Sequence, residues 1–244
     1  MQFNSKHETQ RIIDWIREYF KDTDFKAIIG ISGGKDSAVV AALCTVALGK
    51  DRVIGVMMPQ GEQNLTYGMQ LIQHLGIAYK IINIEKTVNA YIEEMLECGQ
   101  EITDEAKINI PAAIRMARLY SVAAAEGGLV ANTCNLSEDW IGYSTKFGDS
   151  KGDFSPLADY TVTEIKQIGT ELGLPPNLVN KTPADDLQPL ADEERIGFTY
   201  DILDIYIRTG TCANPEIKAK IDKMHKANLH KIRPMPKCEY QSEN

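Results

Sequence analysis

Residues 30–37 combine the residue types that can hold a polyphosphate. Two adjacent glycines, Gly33 and Gly34, let the backbone adopt positive φ and approach a phosphate closely. Two serine hydroxyls can donate hydrogen bonds, and one lysine adds a positive charge. The segment therefore predicts a pyrophosphate-binding loop. Its candidate nucleotide-binding residues are Gly30, Ile31, Ser32, Gly33, Gly34, Lys35, Asp36 and Ser37.

The spacing in this loop differs from two better-known phosphate motifs. The pattern G-x-x-x-x-G-K-[ST] has a hydroxyl residue after the lysine, whereas Asp36 follows Lys35, and the loop does not match G-x-G-x-x-G. This disfavours a kinase, a GTPase or a dehydrogenase. A simple tight turn would explain the glycines but not an acidic residue in an anion site. Because Mg2+ takes one or two carboxylates together with substrate phosphates, Asp36 is predicted to be a Mg2+ ligand.

The loop needs a strand before it and a helix after it, and the hydrophobic pattern predicts both. Strand 27–31 and helix 37–48 flank it, so the helix dipole and free backbone N–H groups should converge on the loop. Alternating strands and helices predict an α/β fold with an open parallel sheet flanked by helices. The other predicted strands are 53–58, 79–84 and 129–133, and the helices between them are 66–75, 88–96 and 112–125.

Helices are also predicted at both ends of the chain. An amphipathic helix starts near Ser5, which forms an S-x-x-E capping box with Glu8. Thr161 and Glu164 form a second capping box at the start of helix 161–172. Two more helices are predicted at 200–208 and 216–228. Because no repeat or low-complexity linker divides the sequence, we expect one domain over residues 1–244.

Composition narrows the function classes. The 244 residues are 43% hydrophobic and 25% charged, which is typical of a globular protein. The net charge of −8 disfavours a nucleic-acid partner. The longest apolar run, residues 38–48, is shorter than the roughly 20 residues that span a bilayer. The five cysteines are far apart and form no CxxC pair. We expect a cytoplasmic location, a small-molecule substrate, and no membrane or nucleic-acid partner.

The motif SGGKDS resembles the SGGxDS loop of the N-type ATP pyrophosphatases, which include NAD, GMP and argininosuccinate synthetases and tRNA-thiolating enzymes. Residues 133–157 are similar to the NAD synthetase segment in residue type and spacing. The resemblance extends from about residue 10 to residue 236 and implies an adenine-nucleotide alpha-hydrolase-like fold. Further matches are Asn109, Arg115-Met116, Lys181, Pro183, Asp186-Leu187, Asp192-Glu193, Gly197, Tyr200, Asp204, Tyr206, His230-Lys231, Pro234 and Pro236.

The resemblance also implies roles for single residues. Glu138 matches the second Mg2+ carboxylate, and Thr133 matches a nucleotide contact at a strand tip. Glu138 follows a strand end, where ligands of open α/β sheets bind. The alternative interpretation is a solvated carboxylate at the N-terminus of a helix. Asp153 is a candidate for taking a proton from ammonium, because only neutral ammonia has the attacking lone pair. The matches to deamido-NAD contacts are Arg115, Lys146, Asp153, His230 and Lys231, each of which, taken singly, is more often a surface charge.

The activity implied is amidation of deamido-NAD with ammonia. ATP is the co-substrate, Mg2+ the metal, and an adenylated carboxylate the intermediate, with release of AMP and pyrophosphate. Free ammonia is the expected donor because the synthetase core accounts for almost every residue. A homodimer that binds deamido-NAD partly across its interface is expected from the resemblance and from an unusually apolar helix. Its apolar residues are Ile108, Ile110, Ile114, Met116, Leu119 and Tyr120.

Four positions depart from the family pattern. The family usually has arginine at Ala113, a phosphate-binding lysine near Val162, a hydroxyl residue at Ala184 and an acidic residue at Arg195. We therefore expect ATP to bind more weakly here than in relatives that have the usual lysine, and Val162→Lys to tighten ATP binding without changing the affinity for deamido-NAD. The opposing possibility is that Lys35 turns inward, or Lys181 reaches the site, and restores the missing charge. The alternatives are a tRNA-modifying pyrophosphatase and a non-catalytic nucleotide-binding homologue.

Overall fold

Four parallel strands form the central sheet in a computed structural model that describes residues 3–180 and 192–240. The strand order is β3-β2-β1-β4, and Ala27 of β1 lies opposite Val53 of β2 and Leu129 of β4. The predicted open parallel sheet is therefore confirmed. The strands are β1 (Lys26–Gly30), β2 (Val53–Met57), β3 (Ala78–Ile81) and β4 (Gly128–Ala131).

Helices cover both faces of this sheet. The first group is α1 (Ser5–Phe20), α2 (Lys35–Leu48), α3 (Thr66–Leu75), α4 (Glu85–Glu97) and α5 (Asp104–Glu126). The second is α6 (Leu136–Ile141), α7 (Val162–Glu171), α8 (Pro176–Val179), α9 (Asp192–Ile196), α10 (Tyr200–Thr209) and α11 (Pro215–Ile232). No helix in either described stretch is long and apolar enough to cross a membrane.

Three apolar clusters hold these layers together. One face of the sheet packs against α1, α2, α3 and α7, and α2 is buried along most of its length. The other face packs against α4 and α5. The third cluster joins α6 and the start of α7 to α9, α10 and α11. The C-terminal helices therefore pack around a small apolar core of their own beside the sheet, and α6 contributes to that core.

One of the two predicted capping boxes is wrong. The N-cap of α1 is Asn4, whose side chain accepts a hydrogen bond from the backbone N–H of His7 at 3.1 Å. Glu8 instead accepts hydrogen bonds from the hydroxyl of Tyr160 at 2.7 Å and from Arg11 at 2.8 Å. Asparagine is as good an N-cap residue as serine. The Glu8 carboxylate gains more from its hydrogen bonds to Tyr160 and Arg11 than it would from a bond to a backbone N–H at the helix start. The second box, at Thr161, is confirmed.

Candidate active site

The strand order changes direction between β1 and β4, and we call the region at their carboxyl ends the crevice. After β1 the chain proceeds to β2 and β3 on one side, whereas β4 pairs with the other edge of β1. Such a switch point is where open α/β sheets bind ligands. β1 leads into the glycine loop of residues 31–34, and β4 leads into residues 132–135. Both segments predicted to bind nucleotide and metal thus meet at one place.

The glycine loop leaves the start of α2 open to an anion. Gly33 has φ of +80°, a conformation that favours glycine, and the N-cap of α2 is Gly34, which provides no side-chain cap. Within the loop, the backbone N–H of Gly34 donates to the hydroxyl of Ser32 at 3.2 Å, and the hydroxyl of Ser37 donates to the carbonyl of Gly34 at 3.1 Å. The hydroxyls therefore stiffen the turn, and the helix N-terminus is available to a phosphate.

Lys35 turns into the site. Its side chain is only 4% exposed, and its ammonium group contacts a carboxylate oxygen of Asp36 at 2.8 Å. The other oxygen, Asp36 Oδ1, is buried and accepts no hydrogen bond from the described residues. A buried acceptor without a partner is costly, so this oxygen is suited to a cation.

Glu138 supplies a second carboxylate from the end of β4. It lies in α6, whose N-cap Asn135 is fully buried and accepts the backbone N–H of Glu138 at 2.9 Å. Burial raises the pKa of Glu138 well above its usual range, the Asp36 carboxylate raises it further, and the Lys35 ammonium opposes both. The structure thus brings Asp36 and Glu138 together, although about 100 residues separate them in the chain.

These two carboxylates fit a divalent cation that shares its coordination with phosphate. In residues 3–180 and 192–240 no group of three or more His, Cys, Asp or Glu side chains could hold a metal by itself. Mg2+ does not need such a group, because it binds through one or two carboxylates, waters and substrate phosphates. The unpartnered oxygen of Asp36 and the unfavourable charge on Glu138 are both relieved by a cation. Thr133, half-buried, lies at the end of β4 in the same crevice.

Asp153 is held against β4. One carboxylate oxygen accepts the backbone N–H of Val130 at 2.7 Å, and the other lies 3.4 Å from the hydroxyl of Tyr120. Both oxygens are therefore engaged with the protein, and the role of Asp153 in taking a proton from ammonium stays a prediction. Lys146 is exposed, with its ammonium 5.3 Å from the ring centre of Phe147. Phe147 itself has φ of +63°, which is rare for an aromatic residue.

The remaining predicted substrate contacts are spread around the crevice. Arg115 Nε donates to the carbonyl of Met58, just beyond β2, at 3.1 Å. Lys231 donates to the carbonyls of Gly142 and Ser144 at 2.8 and 3.0 Å, and it lines a cavity of about 340 Å³ together with Asp153. His230 is exposed and contacts the carbonyl of Ala227 in its own helix. Direct contact between these side chains and a substrate remains a prediction.

Sequence reasoning missed two acidic residues in this crevice. Desolvation raises the pKa of both Asp139 and Asp149, that of Asp139 to about 6, and the Asp149 charge contributes to the shift at Asp139. Asp139 is half-buried, whereas Asp149 is exposed. The backbone carbonyl of Asp149 accepts the thiol of Cys134 at 3.3 Å, which ties it to the end of β4. Asp149 belongs to the Gly-Asp pair of the NAD synthetase-like segment, so the motif itself could have identified it as a candidate site residue.

The residues that depart from the family pattern lie in different surroundings. Val162 is 2% exposed and packs in the third apolar cluster, so its side chain is part of the core. Ala113 is exposed on α5. The guanidinium of Arg195 lies 5.5 Å from the ring centre of Tyr143. Ala184 and Lys181 lie outside the described residues. Lys35 is turned inward and contacts Asp36, so we expect the loop to carry the charge that the family places near Val162.

Lys35→Met is expected to weaken ATP binding by roughly tenfold to a hundredfold, since a charged hydrogen bond is worth about 1.5–3 kcal/mol. Val162→Lys should give no gain, because it places an ammonium group in an apolar cluster and should lower the melting temperature. Isothermal titration with a non-hydrolysable ATP analogue measures both, and Lys86→Met on the exposed face of α4 is the control. Unchanged affinity of Lys35→Met together with tighter binding by Val162→Lys would contradict this assignment.

Similarity to known proteins agrees with the geometry. The model of the NAD synthase family matches residues 8–240. An NH(3)-dependent NAD(+) synthetase of Pyrococcus furiosus is 38% identical over 205 residues, which cover 83% of this chain and 77% of the relative. Among solved structures, NMN synthetase from Francisella tularensis has a TM-score of 0.89 at 27% identity, covering 98% of this chain and 100% of that one. NH3-dependent NAD synthetase from Campylobacter jejuni has a TM-score of 0.79 at 29% identity, covering 98% and 100%.

Proposed function

Since the chain belongs to the NAD synthase family, we infer that it is a carbon–nitrogen ligase, which forms NAD from deamido-NAD and ammonia with ATP as co-substrate. Its parallel sheet flanked by helices is the adenine-nucleotide alpha-hydrolase-like fold of the family. The observation that supports this function most is the pairing of Asp36 with Glu138 beside an open helix N-terminus. The family match over residues 8–240 supports a single synthetase domain.

The chemistry follows from where charge develops. The substrate carboxylate attacks the α-phosphorus of ATP, and negative charge accumulates on the departing pyrophosphate. The N–H groups at the start of α2 and the ammonium of Lys35 are positioned to stabilise that charge. Ammonia then displaces AMP from the adenylated carboxylate. Catalysis therefore consists of positioning and electrostatics, without a protein nucleophile.

We assign the metal site to Asp36 and Glu138. Bound Mg2+ would neutralise part of the polyphosphate charge and favour the leaving pyrophosphate. The two carboxylates would hold the cation beside the glycine loop. Thr133 and the loop residues 30–37 contact the nucleotide. Arg115, Lys146, His230 and Lys231 are the proposed contacts of deamido-NAD, and Asp153 is the proposed proton acceptor from ammonium.

One assay tests this proposal. Purified protein is incubated with ATP, Mg2+, deamido-NAD and ammonium, and NAD and AMP are measured together. Equal amounts of NAD and AMP are expected. Nucleotide binding without product would instead support a non-catalytic homologue, and AMP release that requires tRNA would support a tRNA-modifying enzyme. The five free cysteines support a reducing, cytoplasmic location.

A second candidate substrate comes from the structural neighbour. NMN synthetase from Francisella tularensis has a TM-score of 0.89, against 0.79 for the Campylobacter jejuni NAD synthetase. The same adenylation chemistry could amidate nicotinate mononucleotide, which carries the same carboxylate on a shorter substrate. Running the assay with each substrate alone and then with both in competition distinguishes the two functions by their kcat/KM ratio.

A homodimer is expected from exposed apolar side chains on α5 and on α4, which contacts it. Ile108 and Tyr120 of α5 are 49% and 39% exposed, and Tyr91 and Leu96 lie exposed on α4. Four of the six apolar residues that suggested the interface belong to the protein's own core, because Met116 and Leu119 are buried in it and Ile110 and Ile114 pack against it. The dimer itself stays a prediction.

Ile108→Asp should raise the dimer dissociation constant by at least about tenfold, because it places a charge in an apolar interface. Light scattering over a range of micromolar concentrations measures this shift. Val46→Asp, at a 51% exposed apolar residue of α2, is the matched control. A fully active wild-type monomer at micromolar concentration would exclude the dimer.

A further inference from the structure

The helix that carries Glu138 is too short to hold its own position. α6 has six residues, about one and a half turns, and isolated helices of this length are unstable in water. Its orientation must come from contacts with the rest of the protein. Since Glu138 is the proposed metal ligand, those contacts also fix where its carboxylate points.

The C-terminal end of α6 is fastened by α11. Asn228 donates a hydrogen bond to the carbonyl of Ile141 at 3.0 Å, and Lys231 donates to the carbonyl of Gly142 at 2.8 Å. His225 contacts the carbonyl of Trp140 at 2.8 Å. These bonds satisfy carbonyls that a helix end leaves free. They do not reach the residues next to Glu138 on its N-terminal side.

The N-terminal side is fastened by a buried carboxylate on α10. Asp204 is 5% exposed, and its Oδ1 accepts the hydroxyl of Ser137, the residue before Glu138, at 2.5 Å. Its Oδ2 accepts the backbone N–H and the hydroxyl of Thr163 at 2.8 and 2.5 Å. The hydroxyl of Ser137 also accepts the backbone N–H of Val162 at 3.1 Å. Ser137 is therefore held between Asp204 and the first turn of α7.

We propose that Asp204 is a positioning residue that acts through Ser137 to aim Glu138 at the metal. A buried carboxylate stays in place here because it receives three hydrogen bonds and lies at the N-terminus of α7, where the helix dipole favours negative charge. Ser137 is itself fully buried, so its hydroxyl has little freedom to choose another partner. Loss of this link would leave the first turn of α6 tied by the bond from the Leu136 N–H to the Tyr160 carbonyl at 2.9 Å, with no bond among the described residues holding Ser137 beside α7, while the C-terminal end stays in place. The inference rests on the proposed role of Glu138.

The test uses Ser137→Ala and Asp204→Asn in the full-length protein. Ser137→Ala removes only the hydroxyl, and Asp204→Asn keeps the shape but removes the charge. Binding of Mn2+–ATP in the absence of deamido-NAD is measured by electron paramagnetic resonance, and circular dichroism gives the folded fraction. The control is Glu171→Gln, an exposed carboxylate at the far end of α7.

Both variants are expected to bind Mn2+–ATP about 10- to 100-fold more weakly per folded molecule, the loss typical of removing a group that orients a metal ligand. Glu171→Gln should match the wild type. Unchanged Mn2+–ATP affinity in the folded fraction of Ser137→Ala, even with a lower melting temperature, would show a purely structural role and overturn the proposal. So would a wild-type protein that binds no Mn2+–ATP.

The readout separates this inference from the proposed function. If the wild type makes no NAD, yet the two variants lose Mn2+–ATP binding, Asp204 still positions the metal ligand and only the reaction assignment fails. If Asp204→Asn does not fold, Ser137→Ala alone decides the outcome, because it removes no charge and leaves the bonds to Thr163 in place.

Discussion

Asp36→Asn and Glu138→Gln are each expected to lower kcat/KM for NAD formation by about 100- to 1,000-fold, the loss typical of removing one group that stabilises developing charge. Both amides keep the size of the side chain, so the fold should remain. Each replaces a charged metal ligand with a weaker neutral one. The loss should be largest at limiting Mg2+ and partly recovered at high Mg2+.

Glu138→Gln should lower activity without lowering the stability of the fold. Burial and the nearby Asp36 carboxylate disfavour the charged form of Glu138, so removing its charge should leave the melting temperature without Mg2+ unchanged or higher. Steady-state kinetics over a Mg2+ series and thermal denaturation without Mg2+ measure the two effects. Asp22→Asn, at an exposed site, is the control. Turnover equal to the wild type at limiting Mg2+ in either variant would refute the metal assignment.

Gly142→Ala is expected to reduce both stability and activity. Gly142 ends α6 with φ of +69°, and a Cβ atom there would lie 2.0 Å from the Cβ of Asn228 on α11. The backbone strain costs about 1–2 kcal/mol and the overlap about 1–3 kcal/mol, so unfolding free energy should fall by about 2–5 kcal/mol. Because α11 must shift away from α6, the position of Glu138 should be disturbed as well.

The chain offers a matched control for this change. Gly210 ends α10 in the same left-handed conformation, with φ of +70°, but no atom lies within 4 Å of the position that an added methyl group would take. Gly210→Ala should therefore show only the backbone cost. The double variant Gly142→Ala/Asn228→Gly should lose less stability than the sum of the two single variants, since it removes the overlap. Urea denaturation of the wild type and the four variants measures this, and equal losses for the two alanine variants would contradict the packing argument.

Much of the sheet could be predicted because its strands are short apolar runs between turn residues. Strand 53–58 corresponds to β2, which is buried along its whole length, and helix 66–75 corresponds to α3 without any shift. The short helices were missed, because α6 and α8 are too short to show a hydrophobic period. Asn135 followed three residues later by Glu138 is a helix-start signal that could have revealed α6.

The site was less predictable than the fold. The composition of the glycine loop indicated an anion site, but whether Lys35 points inward depends on the packing around it. The link from Asp204 to Ser137 joins residues 67 positions apart, and no local pattern marks it. Such contacts form only when α6, α7 and α10 come together, so they follow from tertiary packing and not from periodicity.

The strand order has a consequence for synthesis on the ribosome. β1 is an interior strand whose second neighbour, β4, begins 98 residues after β1 ends, at residues 128 and 30. At about 5–20 residues per second, one edge of β1 stays unpaired for roughly 5 to 20 s after it emerges. An unpaired apolar edge can pair with another nascent chain, so aggregation is favoured most during this interval. Slower translation between residues 30 and 128 should therefore lower soluble yield, whereas slower translation after β4 should not.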